Sequence, residues 1–155
     1  MEWSIREARA EDLPDLKKLC WELDTDAVFY QPKRFVLAER PDEFLLSIIE
    51  GSDSGILAAE GEEGVVGFSL LQEKATPPIS CLLEKRYVYV LELIVSEKHR
   101  SEGIGALLLE ASKQWGRQRG LDFLRLSVFE ENVRGIAFYE KNGLAAAMKT
   151  MECEL

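Results

Sequence analysis

Apolar positions along the chain change period several times, and each change marks an element. Trp3-Ser4-Ile5-Arg6-Glu7 alternates and predicts a first strand. Leu13, Leu16, Leu19, Cys20 and Leu23 then recur at helical spacing. Asp12 stands near the start of that helix, and Pro14 falls in its first turn, where a missing N–H breaks no helical bond. From Asp24 to Arg40 the aromatics Phe29, Tyr30 and Phe35 follow no period, so this segment reads as irregular. After Pro41 a second helix is predicted with Phe44, Leu45, Ile48 and Ile49 inward, stopping at Gly51. Gly55–Glu60 and Val65–Gln72 flank Gly61-Glu62-Glu63-Gly64, which is a hairpin signal. Ala75 to Lys85 contains Pro77-Pro78 and reads as a loop.

Tyr87 to Val95 is almost continuously apolar and predicts a central strand covered on both faces. A helix from Gly103 places Ile104, Leu107, Leu108, Ala111 and Trp115 on one face. Phe123–Val128 predicts another short strand. Arg134 to Lys141 predicts a short helix closed by Asn142-Gly143. Met148–Leu155 reads as a last edge strand. The element order is therefore βααββ, then βαβα, then β, and no linker or repeat divides it, which predicts one α/β domain over residues 1–155.

Composition narrows the function classes. With 46% hydrophobic and 30% charged residues the chain is an ordinary globular one. No apolar run reaches the length of a membrane span, and MEWSIREARAEDL has no signal-peptide core, so a cytoplasmic protein is expected. The formal net charge of −9 repels nucleic acid and anionic membranes and mildly favours cationic partners. Cys20, Cys81 and Cys153 are far apart and lack CxxC spacing, so they read as free thiols rather than disulfides or a metal site.

Candidate chemistry gathers at Lys98-His99-Arg100-Ser101-Glu102-Gly103-Ile104-Gly105-Ala106, where an apolar strand turns into a helix. Free N–H groups and a partial positive charge at a helix start suit an anion, and Arg100 and Lys98 add cations, so a phosphate-bearing ligand is expected. The turn is not a Walker A loop, because no Lys-Ser/Thr pair follows the second glycine. Nor is it a dinucleotide fingerprint, because Leu108 stands where a third glycine belongs. A plain glycine-capped turn is the alternative. Asn132 precedes the last helix as an N-cap candidate, and Tyr139 lies two turns along the same face. Glu92 is the one charge between Tyr87 and Val95. A carboxylate in an apolar strand is costly unless paired or functional, so it faces either an arginine or a cleft, or acts as a general base.

Arg100-Ser101-Glu102-Gly103-Ile104-Gly105 resembles the Arg/Gln-x-x-Gly-x-Gly/Ala acyl-CoA signature of the GNAT superfamily of N-acetyltransferases. Leu91 to Val95 looks like the strand that precedes it, and Asn132 to Leu144 is similar to the family's second motif, Asn-x-x-Ala/Gly-x-x-Phe-Tyr-x-x-x-Gly-Phe. The departures are Ser101 where the family usually has glycine, Glu97 for a frequent proline and Leu144 for a frequent phenylalanine. The resemblance implies a mixed, largely antiparallel sheet of roughly six to seven strands flanked by about four helices. It implies acetyl-CoA as co-substrate, no metal, and direct transfer to a primary amine. Backbone groups of Leu93, Ile94 and Val95 would hold the acetyl group and pantetheine arm. The Arg100, Ser101, Gly103, Ile104, Gly105 and Ala106 turn would cradle the pyrophosphate. Asn132 would bond the pantetheine arm and Tyr139 would protonate the departing thiolate; Glu92, read from its place in the apolar strand, is the candidate base, direct or through water.

From the charge balance a small cationic amine is expected as acceptor, met by Asp24, Asp26, Phe29, Tyr30 and the Ala75–Lys85 loop, with no nucleic acid and no membrane as partner. Family members often form a homodimer, which an edge strand at the C-terminus would permit. The alternative is a non-catalytic acyl-CoA-binding sensor.

Overall fold

The structure is a computed structural model that describes residues 2–155. Five strands form one sheet in the order β1-β2-β3-β4-β5: β1 is Ser4–Glu7, β2 Ser54–Gly61, β3 Gly64–Ala75, β4 Arg86–Val95 and β5 Phe123–Leu126. The first three pairings are antiparallel and β4–β5 is parallel, so the sheet is mixed. The helices are α1 (Leu13–Tyr30), α2 (Asp42–Glu50), α3 (Ile104–Gln118) and α4 (Val133–Lys141).

The sheet is covered on both faces because side chains alternate along each strand. Ile56 and Ala58 of β2 join Phe68 and Leu70 of β3 in a cluster with Leu16, Leu19 and Cys20 of α1 and Leu45 and Ile48 of α2. Leu57 and Ala59 point the other way and pack with Val88, Val90, Ile104, Leu108 and Trp115 against α3. Among the described residues no helix is long and apolar enough to cross a membrane.

Four expectations need correction. Among the described residues the strand count is five, not six to seven, because Met148–Leu155 forms no strand. Met148, Met151 and Leu155 stay exposed, and the tail is held by ion pairs of Arg34 with Glu152 and Glu154 instead of a backbone ladder. The C-terminal edge through which a homodimer could pair is therefore not built from these residues. The expected irregular segment is helical as far as Tyr30. Its inward positions are Asp24, paired to Arg40, and the small Ala27, so no apolar period reports the turn, and Gln31 ends it ahead of Pro32. Phe44 and Leu107, expected to point inward, are 38% and 45% exposed. On α2 and α3 the sheet touches a narrower stripe, filled by Leu45 and Ile48 on one and by Ile104, Leu108, Leu109 and Ser112 on the other.

Candidate active site

Strand β4 changes character at Leu91. Leu70 pairs with Glu92 but Leu71 pairs with Val90, so Leu91 is an extra, bulged residue. Side-chain period along a strand is two, so one extra residue exchanges the faces. Val88 and Val90 face α3, whereas Ile94 joins the α1 cluster. The bulge thus turns Glu92 toward α1. The pairing with β5 also ends there: Val90 and Leu126 are its last partners. From Leu91 on, the edge of β4 has no strand beside it, and Leu93, Ile94 and Val95 lie along this opening.

Glu92 meets an arginine. Arg40 donates through Nη1 to Glu92 Oε1, and forks onto Asp24 of α1 through Nε to Oδ2 at 2.9 Å and Nη2 to Oδ1 at 2.6 Å. Burial pushes the Glu92 carboxyl up from the usual range, while the Arg40 charge and hydrogen bond pull it back. Glu92 Oε2 is buried and meets no donor among the described residues. Cys20 lies beneath, its thiol pushed by burial up to about 11, so it stays a thiol at neutral pH. Asp24, Arg40 and Cys20 line a groove of about 550 Å3 with Leu13, Lys17 and Trp21.

The turn after β4 carries the backbone geometry of a phosphate cradle. Ser101 has φ +68° and Gly103 φ +82°, both left-handed. A Cβ on Gly103 would meet nothing within 4 Å, so this glycine serves the backbone angle and leaves open space before it. The first helical bond of α3 runs from Leu107 N–H to Gly103 C=O at 3.2 Å, leaving the N–H groups of Ile104, Gly105 and Ala106 without helical partners. Gly105 has a different reason: a Cβ there would stand 3.1 Å from Phe138 Cζ, so it lets α4 pack on α3. Arg100 is turned back from the cradle. Its Nε donates to the Val95 carbonyl at 3.2 Å and its Nη2 lies 3.4 Å from Asp26. His99 lies between Glu63 and Glu102, at 3.2 and 3.1 Å, with Trp3 against its ring.

Asn132 caps α4, its Oδ1 accepting from Gly135 N–H at 2.9 Å and from the Tyr30 hydroxyl at 3.3 Å. Tyr30 belongs to a cluster with Phe29 and Phe129, and Phe35 also packs on Phe129, which ties the end of α1 to the approach of α4. Tyr139 sits with its ring 5.3 Å from Phe138, and its hydroxyl makes no hydrogen bond among the described residues. Burial raises its pKa, so it remains protonated through neutral pH.

The turn, the open edge and the Asn132–Tyr139 helix therefore come from the three segments singled out in the sequence. Arg40 is the site residue that sequence reasoning misses; the single signal pointing to it is the lone carboxylate Glu92, which requires a cation from somewhere. Asp24 and Asp26, expected to face an acceptor, each pair with an arginine.

The acetyltransferase (GNAT) family model matches residues 7–144. An uncharacterized N-acetyltransferase, YhfO of Bacillus subtilis, is 32% identical over 102 residues, a match that spans 66% of each chain and so just under two thirds of that relative. A crystal structure of a mutant of the BH1408 protein from Bacillus halodurans superposes with TM-score 0.94 at 27% identity, covering 98% of this chain and 99% of the other. The aminoglycoside N-acetyltransferase AAC(6')-Iy in complex with CoA shares the fold at TM-score 0.75 and 15% identity, with 98% of each chain covered.

Proposed function

Because the chain belongs to the acetyltransferase (GNAT) family, we propose that it transfers an acetyl group from acetyl-CoA directly to a primary amine, as a cytoplasmic enzyme of one domain over residues 1–155. The observation that carries this is the opening beside β4. Its backbone loses its β5 partner after Val90 and leads, through a short 3-10 turn at Glu97–His99, into a left-handed turn and a helix start. An extended arm can lie beside Leu93, Ile94 and Val95 as an added strand, with its phosphates at the turn. The open space before Gly103 fits this ligand. Arg100 fits it once it leaves the Val95 carbonyl.

The cofactor supplies an activated thioester carbonyl. Backbone N–H groups of β4 polarise that carbonyl's oxygen, a role worth most where water is excluded. The amine nitrogen forms the C–N bond as the C–S bond breaks. Tyr139 gives its proton to the leaving sulfur, and Glu92 takes the proton of the amine. Asn132 already uses Oδ1 as a cap and offers its Nδ2 amide to the pantetheine arm.

A small cationic amine is the acceptor we infer. The formal net charge of −9 favours a cation, Asp24, Glu92 and Arg40 together carry one negative charge in excess when both carboxyls are ionised, and the groove that Asp24 and Arg40 line beside Glu92 is wide enough for a small molecule. Thiol release from acetyl-CoA across a panel of polyamines, amino acids, aminoglycosides and lysine peptides tests the assignment. Cationic small amines should give the highest kcat/KM, falling as salt rises because the Debye length is only about 8 Å at physiological ionic strength. Preference for neutral or acidic acceptors, with no salt dependence, would overturn it.

A further inference from the structure

We propose that Arg40, clamped by Asp24, is a positioning residue that aims Glu92 for proton transfer. This rests on Glu92 being the base, as proposed above. Residues 32–39 between α1 and α2 are all exposed, and Arg40 is the residue of that segment that turns inward, with its side chain 22% exposed. The fork onto Asp24 uses both carboxylate oxygens and fixes the plane of the guanidinium. The remaining Nη1 reaches Glu92 Oε1. One oxygen of Glu92 is thereby committed, which leaves Oε2, buried and without a donor among the described residues, as the oxygen free to receive the acceptor's proton, directly once the acceptor reaches it or through a relay.

An ion pair that served folding alone would have both carboxylates fully engaged. Here Asp24 is saturated and Glu92 is left half-engaged. The bulge at Leu91 supports the same division of labour. It aims Glu92 at the α1 face, where Arg40 and Asp24 wait, and away from Val88 and Val90. The groups facing Glu92 are Arg40 from the connecting segment and Asp24 and Cys20 from α1; its partner on β3 is the apolar Leu70. Arg40 lowers the affinity of Glu92 for a proton, and Asp24 raises it. Removing the Arg40 charge must therefore move Glu92 toward higher pH.

The test follows Glu92 itself and the reaction it serves. Carbon-13 carboxyl NMR on glutamate-labelled protein, with the Glu92 signal assigned by its loss in Glu92→Gln, reads its titration midpoint without any acceptor. Arg40→Gln should raise that midpoint by about one pH unit or more, the effect of losing an opposite charge in contact. The acid limb of kcat/KM, measured with the best amine of the panel, should move with it. In the Glu92→Gln background Arg40→Gln should add no further shift, as expected of groups acting as one unit. Arg40→Lys restores the charge but cannot span both carboxylates, so its midpoint should return toward wild type while kcat stays down by about tenfold.

An unmoved midpoint in folded Arg40→Gln would overturn the inference. So would wild-type kcat in Arg40→Lys, a variant that remains informative if Arg40→Gln does not fold. A Glu92→Gln profile identical to wild type would instead remove Glu92 as base, and the inference with it. A moved midpoint with an unmoved acid limb would likewise remove Glu92 as base.

Discussion

Replacing Ser101 by glycine should stabilise this protein, against the usual effect of adding a glycine. Ser101 is the non-glycine residue with positive φ, at +68°, among the described residues. An L residue in the left-handed region costs roughly 1–2 kcal/mol, because Cβ crowds the following carbonyl. Glycine removes that strain but gives the unfolded chain more freedom, worth about 0.4–1 kcal/mol in the other direction. The difference leaves a net gain of about 0.5–1 kcal/mol, or a rise in Tm of roughly 1–4 °C for a chain of this length. Calorimetric melts of wild type, Ser101→Gly and Ser101→Ala check it. Alanine keeps the Cβ and should show no gain, which separates the backbone from the hydroxyl. Gly103→Ala is the reciprocal change. Its Cβ meets nothing within 4 Å, so only backbone strain, less the stiffer unfolded chain, acts on it, and a net loss of about 0.5–1 kcal/mol is expected. A Ser101→Gly variant that melts at or below wild type would refute the strain assigned to this turn.

Tyr139→Phe should lower kcat by about a hundredfold or more while acetyl-CoA affinity and Tm hold, because the hydroxyl makes no bond in the resting protein; a kcat within about threefold of wild type would end its role as acid. Gly67→Ala would place a Cβ 2.9 Å from the Ile94 carbonyl and 3.3 Å from Leu108 Cδ1, pressing β4 and α3 apart. A loss of about 2 kcal/mol in urea unfolding is expected, and a silent variant would show that β4 yields freely. Asp12 accepts two bonds of 2.8 Å from Arg6, and that contact holds its carboxyl below the usual range although burial pushes the other way. Its stabilisation is present above the unfolded value near pH 4 and disappears as pH falls through the lower folded value, so the Asp12→Asn deficit of about 2 kcal/mol at neutral pH should vanish in acid. A deficit that persists unchanged in acid would assign it to packing.

The strands and helices with a strong period are legible from residues alone. The run from Tyr87 to Val95 is β4 with one residue added, and the helix read from Gly103 is α3. The left-handed turn before α3 and the Asn132 cap are legible because each uses local chemistry: a glycine in left-handed backbone, an amide one step before a helix. What is not legible depends on distant partners. Arg40 lies 52 residues from Glu92 and in a segment without period, so nothing nearby marks it. The face of Glu92 is hidden for a related reason. In a continuous apolar run, alternation carries no phase, and the bulge at Leu91 shows only in the pairing with β3. Met148–Leu155 alternates like a strand, but the ion pairs of Arg34 hold it in another arrangement. Gly105 reads as a phosphate glycine in the sequence, and its neighbour in the fold is Phe138.

The most direct test of the proposed acetyl-CoA site at the split between β4 and β5 is a titration of the nitrogen-15-labelled protein with acetyl-CoA, followed at backbone amides. Leu93, Ile94 and Val95 and the turn from Ser101 to Ala106 should shift together and saturate at one concentration, while Ser47 and Glu50 of α2, on the α1 face of the sheet, stay in place. The Arg100 side-chain signal should move in the same titration as the guanidinium leaves the Val95 carbonyl. Saturating shifts confined to other surfaces, with β4 and the turn unmoved, would contradict the site.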